Sequence, residues 1–155
     1  MTRNLSILVA AGGSAALLLG AFAFQFIGGL APCHLCLLQR WPHGAAVVIG
    51  VFALATGWRL WPWLGAAAAA ATAGIGVYHA GVEWKFWQGP TSCTGNGNAL
   101  AGLSGADLLS TDAPSGVVMC DQIAWAMWGI SMAGWNAILS AVLMAVWVYA
   151  ATRKA

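Results

Sequence analysis

The stretch PCHLCLLQRWPHGAAVVIGVFALATG, residues 32–57, decides how this chain is read. It opens on two cysteines spaced C-x-x-C, Cys33 and Cys36, and runs directly into an apolar segment at 37–57. A segment of that length reaches across a hydrocarbon core, which takes ~20 helical residues for ~30 Å. Three more such runs lie at about 5–27, 60–82 and 124–149. The expected fold is an all-α membrane protein, a bundle of four transmembrane helices forming one domain over 1–155.

Composition points the same way. Of 155 residues, 61% are hydrophobic and 6% are charged, with a mean hydropathy of +0.78. Soluble domains carry about 25% charged residues, so this chain cannot cover itself with a water-facing surface. A net charge of +2 without a basic stripe excludes a nucleic-acid partner. The ten tryptophans gather near the ends of the apolar runs, Trp41, Trp58, Trp84, Trp128 and Trp147 among them, and read as interfacial belts. The third run holds Gly65, the alanines 66–71, Gly74 and Gly76, a surface for close helix packing in lipid. The first run is longer than the 7–15-residue core of a cleaved signal peptide, so it is expected to stay as a helix.

Charge sets the expected orientation. Arg3, Arg59, Arg153 and Lys154 fall on one side of a four-span chain, Arg40 and Lys85 on the other. The richer side is cytoplasmic. Both termini are then inside, and Cys33, Cys36, Cys93 and Cys120 face out, where disulfides persist. Between the third and fourth spans lies a polar loop, 83–123, holding all four acidic residues, Cys93 and Cys120. Ser104 and Asp107 before Leu108 and Leu109 predict a short helix within it. Glu83 and Lys85 read as solvated loop charges.

The C-x-x-C pair admits several chemistries. Structural zinc takes four ligands, commonly from two such pairs, and a c-type haem takes a histidine after the second cysteine, where this chain has Leu37. No metal site is expected. A structural disulfide stays open on the residues alone. Position favours redox work, because Cys36 lies near a helix N-terminus, whose free N–H groups favour a thiolate. Arg40 follows by four residues and shares a helical face with it. Pro42 removes one backbone bond. A helix starting only there would rise ~24 Å, short of the ~30 Å core, so the turn carrying Arg40 is expected to be helical.

At Pro32-Cys33-x-x-Cys36-x-x-Gln39-Arg40, then at Cys93, Cys120-Asp121-Gln122 and Trp128-Gly129-Ile130-Ser131-Met132, the chain resembles the disulfide bond formation protein B (DsbB) family. These are inner-membrane thiol:quinone oxidoreductases of bacteria, and the resemblance covers nearly the whole chain. The family's relay between a DsbA-like oxidase and quinone is known and enters as what the resemblance implies. A reduced, periplasmic thioredoxin-fold partner attacks a Cys93–Cys120 disulfide at Cys93. Cys120 passes the electrons to Cys33–Cys36 through a Cys33–Cys120 link, and Cys36 delivers them to ubiquinone or menaquinone beside Arg40. Gln39 and His79 are implied to line the quinone pocket, His34 to tune the pair, and the protein to act as a monomer in the bacterial inner membrane. Two other readings compete: a vitamin K epoxide reductase-like enzyme, whose loop cysteines precede its C-x-x-C, and a non-catalytic tetraspanin-like scaffold with structural disulfides.

Overall fold

The computed structural model describes residues 1–90 and 119–153. Among these are four long helices: α1 Arg3–Phe26, α2 His34–Thr56, α3 Trp61–Glu83 and α4 Met132–Thr152. Each start has a local cause. Thr2 Oγ1 accepts from Leu5 N for α1, Cys33 Sγ from Cys36 N for α2, and Ser131 Oγ from Gly134 N for α4, each answering an N–H that the helix leaves unpaired. Pro62 stands at the first turn of α3, where its missing N–H costs nothing. Helix α2 runs unbroken through Pro42, as its length required.

By length and composition, α1, α2 and α4 are apolar enough to cross a membrane. Helix α3 is as long but is not apolar enough by the same measure, being built of alanine and glycine with tryptophans at its start. Its burial accounts for this. Eleven of its 23 residues are buried, against five of 24 in α1, so it presents less surface that lipid must solvate. It packs between α2 and α4, while α1 covers the other side of both. Outward-facing Leu8, Val48, Val51, Leu64 and Val142 are exposed, as expected where hydrocarbon is the solvent.

Small residues make the close packing possible. A Cβ on Gly65 would lie 2.5 Å from Trp147 Cδ2, and one on Gly76 would lie 3.0 Å from Ala137 N. Trp147 is therefore no interfacial residue; it is fully buried against Ile7, Ala10, Ala53 and Ala66. Arg3 closes the same end, donating from Nη2 to Gly57 O and Trp58 O.

The fourth span begins later than expected. Instead of helix from residue 124, a hairpin pairs β1 Ala126–Met127 with β2 Ile130–Ser131. Trp128 and Gly129 turn it with φ of 52° and 78°, the two positive values that a two-residue primed turn demands. The apolar run hid this because hydropathy alone does not distinguish a short strand from a helix. Cys93 and the short helix expected after Ser104 lie outside the described residues.

Candidate functional site

The end of the bundle opposite Arg3 holds the chemistry. Cys33 caps α2, and its Sγ lies 3.2 Å from Cys36 N and 2.8 Å from Cys36 Sγ. Both thiols are free; Cys33 is buried and Cys36 half-buried. The side-chain hydrogen bond with Cys36, burial and the nearby Cys36 charge push the Cys33 thiol well up, outweighing the backbone N–H groups of Cys36 and Leu35. A protonated Cys33 can donate to the Cys36 sulfur across their 2.8 Å contact, which is how a neighbouring thiol favours a thiolate.

A buried polar chain runs inward from Cys33 through three helices. Asn136 Nδ2 of α4 donates to Gln39 Oε1 at 2.6 Å. This orients the Gln39 amide so that Nε2 donates to Leu35 O and, at 2.9 Å, to His79 Nδ1. With Nδ1 an acceptor, the neutral ring carries its proton on Nε2, directed at Cys33 Sγ 3.5 Å away. Beyond Asn136 the chain continues to His43 Nε2 at 2.9 Å, with Thr72 and Ser140 beside it. Each polar group in hydrocarbon depends on such partners.

Cys120 is fully buried and engaged in a disulfide. Its Sγ, Cys33 Sγ and a His79 ring nitrogen all lie within 4.8 Å of one another. Two of the sequence-selected sulfurs, far apart along the chain, therefore meet across one histidine. Glu83 corrects its reading as a solvated charge: it is 9% exposed, and its Oε1 lies 3.9 Å from His79 Nε2. Lys85 is exposed as expected and pairs with Asp121.

Beside the sulfurs opens a cavity of about 480 Å³, walled mainly by apolar side chains such as Phe24, Trp125 and Met132, with Cys36, Gln39 and Arg40 at its polar side. Arg40 Nη1 donates to Gln25 Oε1 at 2.6 Å, Nη2 to Ala21 O at 3.4 Å, and the guanidinium sits 5.0 Å from the Phe22 ring centroid. Its buried Nε has no partner among the described residues. An apolar slot with a guanidinium, an amide and a sulfur converging on one side suits a flat, apolar molecule with carbonyl oxygens. His34 points outward and is exposed.

The fold thus gathers Cys33, Cys36, Gln39, Arg40, His79 and Cys120 at one end. It adds His43, Thr72, Glu83 and Asn136, which sequence reasoning did not select. Their signal was present in His43, Thr72 and Asn136, because a polar side chain within an apolar span is a functional candidate by default.

The family model described as Disulfide bond formation protein DsbB matches residues 3–150. A protein of Verminephrobacter eiseniae named Disulfide bond formation protein B is 33% identical over 136 residues, 83% of this chain and 74% of that protein. Proteins of the same name from Dechloromonas aromatica and Acidovorax sp. are each 29% identical, covering 85% and 93% of this chain and 82% and 86% of their own. No solved structure matches the chain significantly.

Proposed function

The chain belongs to the DsbB family of disulfide bond formation proteins, and from that premise we propose that it is a thiol:quinone oxidoreductase that reoxidises a DsbA-like periplasmic dithiol protein. Membership carries the disulfide-forming redox role. The quinone, the partner, the bacterial inner membrane and the outward-facing sulfurs belong to the proposal.

One observation carries it: a sulfur pair capping a helix opens onto an apolar cavity beside a guanidinium, with a third sulfur within 4.8 Å of Cys33. The loop disulfide that includes Cys120, paired in our reading with Cys93, meets the partner at Cys93. Cys120 then attacks Cys33, the nearer sulfur of the helix pair, and Cys36 is released as the sulfur that faces the cavity. Cys33 is then held in its bond to Cys120, so Cys36 is the sulfur left to deliver electrons there. Once Cys33 is released from Cys120 it bonds to Cys36 again, and a quinone held in the cavity would supply the acceptor for the two electrons and two protons given up. Arg40 would hold one carbonyl oxygen with its unpartnered Nε and favour negative charge on it. Gln39 and His79 line that cavity beside the sulfurs. Phe24 and Trp125 meet at a tilt, ring centroids 5.1 Å apart, and keep water from the wall.

The test uses the full chain in detergent, a reduced thioredoxin-fold dithiol protein and a short-tailed ubiquinone, with quinone absorbance as readout. Wild type consumes quinone in step with dithiol oxidation. Cys36→Ser retains the fold and consumes none. Quinone consumption by Cys36→Ser at the wild-type rate overturns the assignment.

A further inference from the structure

We propose that Glu83 is the proton acceptor for the thiol–disulfide exchange between Cys120 and the Cys33–Cys36 pair. This rests on the oxidoreductase reading above and assigns it a residue that the motif does not contain.

Glu83 is the last residue of α3, one turn beyond His79 and on the same face. Its side chain is 5% exposed and its Oε2 has no hydrogen-bond partner among the described residues. Burying a carboxyl with an unanswered oxygen costs roughly 1–3 kcal/mol or more, and replacement by an apolar residue would relieve that cost. Its location gives the reason to keep it. Oε1 stands 3.9 Å from the His79 ring that touches Cys33, and the carboxyl borders the same cavity as Cys33 and Cys36.

Among the described residues near the sulfurs, the other candidates for a base are already committed. His79 has Nδ1 occupied by Gln39 and its proton on Nε2, so it donates toward sulfur. Arg40 has no lone pair to offer. His43 has a free Nδ1, but it stands seven residues further along α2 than Cys36, about 10 Å by helical rise. Asp121 is held by Lys85. Among the described residues, the titratable and charged groups around Glu83 are therefore Cys33, Cys36 and Arg40 from the start of α2, His79 from α3, and Cys120 with the Lys85–Asp121 pair from the segments beyond. The cap of α4 contributes the uncharged Ser131.

The step balances. The Cys120 thiol gives its proton to the Glu83 carboxylate as its sulfur bonds to Cys33. The Cys33–Cys36 bond breaks, and its electron pair leaves on Cys36 as thiolate. His79 Nε2–H faces Cys33, the sulfur under attack. Without an acceptor, attack waits on the small thiolate fraction of a buried thiol, since the thiolate is the nucleophile.

The experiment mixes oxidised full chain, free of quinone, with a reduced thioredoxin-fold dithiol protein. Acid quench, alkylation and mass spectrometry then follow the Cys36 thiol as it appears. Glu83→Gln slows its appearance roughly 100-fold at neutral pH, the scale of a lost proton-transfer group. The deficit shrinks as pH rises past ~8.5, where thiols ionise unaided. Glu83→Asp falls between. Redox-difference infrared spectra of wild type, which need no variant to fold, gain a protonated-carboxyl band on reduction. A wild-type rate and pH profile in Glu83→Gln, a slowing equal at every pH, or no carboxyl band in wild type each overturns the proposal. Wild type that never passes electrons to Cys36 overturns the oxidoreductase reading as well, and so is told apart.

Discussion

Replacing Gln39 by Leu tests the polar chain beneath the sulfurs most directly. The Gln39 side chain makes three hydrogen bonds. Leu35 O, one of its partners, keeps its helical acceptor role without it. Asn136 Nδ2 loses its 2.6 Å contact but keeps Thr72 Oγ1 at 3.1 Å. His79 Nδ1 is left with no partner. One stranded ring nitrogen and one lost interhelical bond amount to roughly 1–2 kcal/mol, taking the stranded group near the low end of its range and the bond at its membrane value. Asn136→Leu takes the same bond from the other side and strands Gln39 Oε1. Because both variants delete one shared contact, the double variant is expected to be less destabilised than their sum, with a coupling of about 0.5–1.5 kcal/mol. Unfolding in mixed detergent–SDS micelles measures all four corners of the cycle. Nitrogen-15 NMR of the imidazole supplies a second readout, as Gln39→Leu lets the His79 proton move to Nδ1. Additive costs together with an unchanged His79 tautomer would refute the argument that Gln39 fixes the ring.

Three further outcomes are expected. Gly65→Val forces a branched side chain into the Trp147 ring, whose Cδ2 a Cβ would meet at 2.5 Å, and destabilises by about 1–3 kcal/mol in the same unfolding assay. Arg3→Met strips Gly57 O and Trp58 O of their donor, lowering stability by roughly 1–3 kcal/mol while leaving quinone turnover per folded molecule unchanged, since this end is remote from the sulfurs. In reduced protein at pH 7–8, iodoacetamide modifies Cys36 well before Cys33. The sign follows from the Cys33 thiol being pushed up, so that its reactive thiolate is scarce throughout that window, and mass spectrometry of timed quenches reads the order.

Much of the site was legible because its chemistry is carried by spacing. Cys33, Cys36, Gln39 and Arg40 fall within two turns of one helix, where four-residue steps share a face whatever the rest of the molecule does. His79 was reachable as a lone histidine near the end of an apolar run. Glu83 was misread because it stands where a span meets a polar loop, and nothing local says that α3 continues far enough to bury it. Trp147 was misread for a similar reason: a tryptophan near a span end is usually interfacial, but Gly65 on another helix leaves a ring-sized recess for it. The hairpin at 126–131 escaped because Ala126, Met127 and Ile130 look like the start of the helix that follows them.

What the sequence settled alone is the class of molecule and the pair at its centre. Long apolar runs leave the backbone no partners but its own, which makes helices obligatory, and a cap position with a neighbouring arginine turn is fixed by residues a few places apart. Only the tertiary arrangement could bring Cys120 against Cys33, set the His79 proton through Gln39 and Asn136, and close water away from Glu83. Those relations join residues 40 to 97 positions apart, and they exist because glycine and alanine faces let three helices approach closely enough for side chains from each to share one hydrogen-bond chain.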